Sequence, residues 1–118
     1  MLHKDLDVWQ KAMLAAKKTY SIAPQLPREE TYGIRSQLTR ACLSVPCNIA
    51  EGMARETSAD RAHFLTIARG SVAEANTLFE ICDDLDWLPK DKTSEILSLL
   101  DDVGKMLTVM LRRYRKKP

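Results

Sequence analysis

With only 4 glycines and 5 prolines in 118 residues, the chain has few natural breaks, so long uninterrupted elements are expected. Aromatic residues make up 6%, and runs of β-branched residues are scarce, which argues against sheet. No apolar run approaches the roughly 18 residues that a membrane span requires. The opening "MLHKDLDVWQ" has no apolar core of the kind a signal peptide carries. The three cysteines, Cys42, Cys47 and Cys82, are odd in number and fall within helical patterns. They read as small core residues of a reduced, cytoplasmic protein rather than as a disulfide framework. A zinc site would need four ligands, and the step from Cys42 to Cys47 points the two side chains apart on a helix.

What is abundant is Ala, Leu, Lys, Arg and Glu, all helix formers. The length suits one domain, and 45% hydrophobic with 29% charged residues is ordinary for a soluble globular protein. Four apolar stripes follow one another at steps of three and four residues. The first is Leu6, Trp9, Met13, Ala16, Tyr20 and Ala23, with Asp5 as candidate N-cap and Pro24 and Pro27 as its stop. The second is Ile34, Leu38, Ala41, Val45 and either Asn48 or Ile49. The third is Leu65, Ala68, Val72, Ala75, Phe79 and Cys82, with Ser58 as N-cap, and the fourth is Ile96, Leu100, Val103, Leu107, Met110 and Tyr114. The spacing predicts helices over about 5-23, 28-52, 58-86 and 91-115, the second and third longest, in a single domain covering residues 1–118. Short connections make chain neighbours antiparallel. The expected fold is therefore all-α, an up-down-up-down four-helix bundle.

Pro46 lies inside the second stripe, where it deletes a backbone hydrogen bond and crowds the carbonyl of Cys42. Because Ile49 continues the apolar face and no turn residue intervenes before Gly52, a helix kinked near Pro46 is favoured over one ending near Val45. Ser44 is placed to bond the freed carbonyls. Beside the apolar seam runs a polar stripe of Gln37, Ser44, Asn48 and Glu51. If the turn centres near Arg55, Arg40 comes level with Gly70 and Ser71 and within a turn of Glu74. An Arg40–Glu74 pair is the expected contact, with Gly70 permitting close approach of a neighbouring backbone. The alternative is that Arg40, Glu51, Arg69 and Glu74 are simply solvated.

Three stretches carry a resemblance: "DLDVWQKA" at 5–12, "YGIRSQLTRACLSVPCNIAEG" at 32–52 and "FLTIARGSVAEA" at 64–75. They resemble the four-helix-bundle family of 23S rRNA intervening-sequence proteins. The first three helices match well and the fourth only in pattern, while Cys42 and Cys47 replace small apolar residues. The resemblance implies a cytoplasmic bundle that assembles into a homopentamer and has no enzymatic activity. Distant relatives serve as accessory proteins of diversity-generating retroelements, alongside a reverse transcriptase and its RNA. It also implies that Arg40, Asn48, Glu51, Arg69, Ser71 and Glu74 are structural or interface residues.

Net charge is only +2, but its distribution is uneven. In an up-down bundle the start of the first helix, the second turn and the C-terminus share one end, and basic residues outnumber acidic ones there. The other end, rich in Asp83, Asp84, Asp86, Asp91 and Glu95, is acidic. A parallel ring of subunits would sum the basic ends, so Arg112, Arg113, Arg115, Lys116 and Lys117 form the candidate nucleic-acid face, with Tyr114 as core or stacking residue. The competing explanation is that these cations complement the dipole of the last helix.

Catalytic chemistry finds little support. Asp60 and His63 match one carboxylate-x-x-histidine unit, but a di-metal bundle needs two such units and further glutamates, and the only other histidine is His3. There is no glycine-rich phosphate loop and no nucleophile–base pair. The chain reads as a non-enzymatic oligomeric bundle without metal or cofactor, associated with RNA or an RNA-handling protein. The alternative is a protein-interaction bundle with no nucleic-acid role.

Overall fold

A proline ends the first helix and a left-handed aspartate ends the third. The structure, a computed structural model, describes residues 2–116. Helix α1 spans Asp7–Ile22 and yields at Pro24 to a 3-10 turn, Ala23–Gln25, followed by extended Leu26. Asp5 is not its N-cap. It closes a 3-10 turn, His3–Asp5, and Leu6 occupies the cap position with no side-chain hydrogen bond.

The second helix starts later than its pattern suggests. Residues 28–33 form a 3-10 turn, Arg28–Glu30, and a bend at Gly33, and α2 is Ile34–Met53. The orphan N–H of Ile34 donates to Glu30 Oε1 at 3.3 Å, so a carboxylate from the preceding turn caps the helix. That carboxylate lies 2.7 Å from where a Gly33 Cβ would be, so a larger residue there would push the Glu30 side chain out of its capping position. Pro46 is buried within α2, and the helix continues past it without interruption. With 20 residues, α2 is shorter than α4, so the expectation that it ranks among the two longest is not met.

Helix α3 spans Ser58–Asp84, and its cap is Thr57 rather than Ser58: Thr57 Oγ1 accepts from the Asp60 N–H at 3.1 Å. It ends in a Schellman motif. Asp86 takes the left-handed conformation (φ 56°), its N–H donates to the Asp83 carbonyl at 3.1 Å, and the Trp87 N–H donates to the Cys82 carbonyl at 2.9 Å. Pro89 then leads into α4, Lys90–Arg115. No strand occurs among the described residues.

Each helix packs closely on its chain neighbours, and α1 also packs on α4, whereas the backbones of the diagonal pairs α1/α3 and α2/α4 stay apart. This closes the square of an antiparallel up-down-up-down bundle, a rod with extents of 50 × 24 × 22 Å. The second and third stripes are phased as expected: Ile34, Leu38, Ala41, Val45 and Ile49, then Leu65 through Cys82, are all buried.

The first stripe is right only at Ala16 and Ala23, which are buried, and its bulky members miss the core. Val8, Ala12, Ala15, Ala16, Thr19 and Ile22 face the core, while Tyr20 is 48% exposed and Leu6 and Trp9 only border it. Small residues line the inside of α1, so size is a misleading guide there. Thr19 is fully buried because its hydroxyl donates to the Ala15 carbonyl at 2.8 Å and meets Cys42 Sγ at 3.4 Å. At the end of α4 the buried residue is Leu111, with Met110 and Tyr114 beside it.

The cysteines divide. Cys42 and Cys82 are buried, and Cys47 is exposed rather than in the core. The glycines are also corrected. A Cβ on Gly70 would meet nothing within 4 Å, so Gly70 permits no close contact. The close approach is at Gly52, where a Cβ would lie 3.2 Å from Phe64 Cβ and 3.3 Å from the Arg61 carbonyl.

Candidate functional site

The topology brings three segments to one end of the rod: the start of α1, the α2–α3 turn and the last turns of α4. Thr57 ends the turn and starts α3, and Arg61, one turn on, folds back so that its Nε donates to the Arg55 carbonyl at 2.8 Å. Its guanidinium also lies 5.6 Å from the Tyr114 ring centroid, with Nη1 3.4 Å from the phenol oxygen. Tyr114 is half-buried and its hydroxyl points at Met53 Sδ, 3.9 Å away. It is a packing residue, covered on one side by Arg61. Arg55 pairs with Glu51 at 3.4 Å and stacks over Phe64 at 4.7 Å.

The basic run therefore does not act as one patch of equivalent side chains. Arg115 Nη2 donates to Thr66 Oγ1 at 2.8 Å, tying the end of α4 to α3. Arg112, Arg113 and Lys116 are exposed, and no carboxylate lies within 4 Å of them among the described residues. Lys117, the last member of the expected face, lies outside the described residues. At the acidic end Lys18 pairs with Glu95, and that hydrogen bond and charge hold the Glu95 carboxyl below its usual range.

The second expected group lies along the α2/α3 seam. Its centre is a hydroxyl pair: Ser71 Oγ donates to Ser44 Oγ at 2.8 Å, joining the two helices. Asn48 Nδ2 donates to the same Ser44 Oγ at 2.9 Å and to the Ser44 carbonyl at 2.8 Å. Ser44 and Asn48 thus serve this junction, and Ser44 makes no bond to the carbonyls released by Pro46 among the described residues. Arg40 and Glu74 do not pair. Both are exposed, on the walls of a polar cleft of about 380 Å³ floored by Ala41, Ser44 and Ser71. Glu51 reaches Arg55 on its own side of the turn and not α3. Arg69 faces the other way, toward α4, with Nη1 3.4 Å from Thr108 Oγ1.

Two buried polar contacts escaped the sequence reading: Thr19 with Cys42, and Thr93, fully buried, whose hydroxyl donates to Asp83 Oδ1 at 2.7 Å. A threonine at a core-facing position was the available signal for both.

A bundle with this seam and this turn has a known counterpart. The family model for the 23S rRNA-intervening sequence protein matches residues 4–109. The chain belongs to that family. Among solved structures, a protein with unknown function from the S23 ribosomal protein family of Bacteroides thetaiotaomicron VPI-5482 superimposes with a TM-score of 0.82. That crystal structure, at 1.70 Å, shares 20% sequence identity over 89% of this chain and 98% of its own, a likeness of fold. No curated protein matches the chain. The "NIAEG" and "ARGS" segments on which the resemblance rested hold the Asn48, Glu51, Arg69 and Ser71 contacts described above. All four of those residues make contacts within the chain: Asn48 within α2, Glu51 within the turn, Arg69 across to α4 and Ser71 across to α2.

Proposed function

We propose that this 23S rRNA-intervening sequence protein is a non-enzymatic helical scaffold that self-associates and presents its basic ends to RNA or to an RNA-handling protein. The observation that carries this reading is the placement of Arg112, Arg113 and Lys116, exposed and without carboxylate partners among the described residues, at the same end as Arg55 and Arg61. A homo-oligomer, a pentamer as the resemblance implies, would sum these ends into one cationic surface. The family name, tied to intervening sequences of 23S rRNA, supports RNA as the partner. Exposed apolar side chains on α2 and α3, Leu43, Ile67 and Ile81, with Leu85 just past the end of α3, supply a surface for self-association. A cytoplasmic setting belongs to the same reading. No described helix is long and apolar enough to cross a membrane.

The alternative, a protein-interaction bundle with no nucleic-acid role, is favoured by one fact: Arg112, Arg113 and Arg115 sit in the last turns of α4, where they complement the helix dipole without any ligand. The test is binding of a structured RNA at low salt by the wild type and by a variant carrying Arg112→Gln, Arg113→Gln and Lys116→Gln. Arg115 is left in place because it ties α4 to α3. The proposal expects the variant to fold normally and to bind at least about tenfold more weakly. Absence of RNA binding by the wild type, or equal binding by the variant, leaves the interaction-bundle reading in its place.

A further inference from the structure

The least explained surface of the molecule lies along α4 on the side away from α2. Between α3 and α4 runs an open groove of about 500 Å³ whose floor is Val72, Ala73, Leu100 and Gly104. On the far side of Val109, which is 57% exposed, a second groove of about 390 Å³ between α1 and α4 is lined by Leu6, Val8, Met106 and Met110. Val109 and Lys105 belong to both grooves, so the apolar surface is continuous across α4. Flexible methionines beside an exposed valine suit a surface that adapts to a docked chain.

Gly104 provides an independent observation. It lies in the interior of α4, where glycine costs a helix stability relative to alanine. Nothing inside the bundle requires it: a Cβ there would meet only Val72 Cγ1, at 3.6 Å, an ordinary contact. The missing side chain deepens the groove and allows another backbone to come close to α4.

Charge then selects the occupant. Lys105 and Asp101 neutralise each other at 3.1 Å. Arg69 on α3 and Arg112 on α4 flank the apolar floor from opposite walls, and neither has a carboxylate within 4 Å among the described residues. An apolar floor between two unneutralised guanidinium groups matches a ridge of apolar side chains with carboxylates on both flanks. We propose that the α3/α4 groove is a docking site for an acidic amphipathic helix of a partner protein, which seats its apolar ridge over Gly104 and Val72 and its carboxylates against Arg69 and Arg112. The predominantly apolar floor favours this occupant over nucleic acid, whose backbone would leave that surface uncovered.

The test uses the full chain and a labelled synthetic helical peptide with leucines along one face and glutamates flanking them. Fluorescence anisotropy should show saturable binding, weakened about tenfold or more when the flanking glutamates are replaced by lysines. Gly104→Leu fills the groove while improving helix propensity, so it should melt no lower than the wild type and lose the peptide. The pair Arg69→Gln and Arg112→Gln should weaken the acidic peptide about tenfold and leave the lysine peptide unchanged. Equal affinity for the two peptides, or undiminished binding by Gly104→Leu, overturns the proposal. Single-stranded RNA binding that is lost on Gly104→Leu, which leaves the basic end intact, would assign the groove to nucleic acid. Loss of oligomer mass on Gly104→Leu would assign it to a second copy of the chain, and either result also overturns the proposal.

Discussion

Leu65→Ala tests whether the bundle interior is where the stripes place it. Leu65 is fully buried, and one of its methyl carbons lies 3.5 Å from the position of a Gly52 Cβ, at the closest approach of α2 and α3. The substitution removes three carbons, and at about 0.8 kcal/mol for each buried methylene the transfer cost alone is about 2.4 kcal/mol. The surrounding helices cannot collapse fully around Gly52, so the cavity left behind adds roughly 1 kcal/mol at about 24 cal/mol per Å³. A total loss of about 3–4 kcal/mol is a large share of the 5–15 kcal/mol typical of a domain, and corresponds to a melting temperature lower by roughly 10–15 °C. The control is Leu14→Ala, since Leu14 is 44% exposed and should cost about 0.5 kcal/mol or less. Urea unfolding followed by circular dichroism reads both, at one fixed protein concentration because assembly adds stability by mass action. A loss under about 0.5 kcal/mol at Leu65, or equal losses at the two leucines, would show that α3 is phased wrongly.

Three further outcomes follow from local geometry. Gly52→Ala forces a Cβ to within 3.3 Å of a helix carbonyl that cannot yield, and should destabilise by about 1 kcal/mol. Gly70→Ala meets empty space and should stabilise by about 0.5–1 kcal/mol; shifts of the same sign in chemical denaturation would refute the packing described at α2/α3. Asp86→Gly relieves the left-handed residue of the Schellman motif, so unfolding should move to higher urea by about 1 kcal/mol, and a loss would show that the Asp86 side chain supports the turn. Burial pushes the Cys42 and Cys82 thiols up to about 11. The native state therefore holds protons that the unfolded chain releases from about pH 9, and the stability contributed by these thiols is present below that pH and lost as pH rises toward 11. Melting temperatures that stay level across this window in the wild type, or fall equally in a Cys42→Ala, Cys82→Ala variant, would contradict the burial.

The legible part of the fold was the part in which the core residues are also the bulky ones. On α3, Leu65, Val72 and Phe79 both fill the interior and dominate the sequence pattern, so period and burial agree. On α1 they disagree: Ala12, Ala15 and Ala16 face inward because neighbouring helices come close there, and Trp9 and Tyr20 sit at the margin with their polar atoms near water. The delayed start of α2 was hidden because its cap is the side chain of Glu30, acting across a turn rather than from the usual cap position. At the candidate site, topology alone placed the basic residues at one end. Individual partners were not legible, because a shift of register moves long side chains past one another. The expected register, centred near Arg55, put Arg40 level with Ser71, whereas the observed hydroxyl pair sets Ser44 level with Ser71. Arg40 and Glu74 are left across a cleft, and Arg61 and Arg115 are held by a tyrosine and a threonine that no charge pattern would indicate.

The salt dependence of RNA affinity tests the central claim, that basic ends from several copies act together on a phosphate backbone. One chain offers Arg112, Arg113, Arg115 and Lys116 at the described end of α4, which could support a slope of about −3 in log affinity against log salt on a single strand. A shared cationic face predicts a slope clearly steeper than that. A slope of about −3 or shallower, or no measurable affinity at low salt, would contradict it.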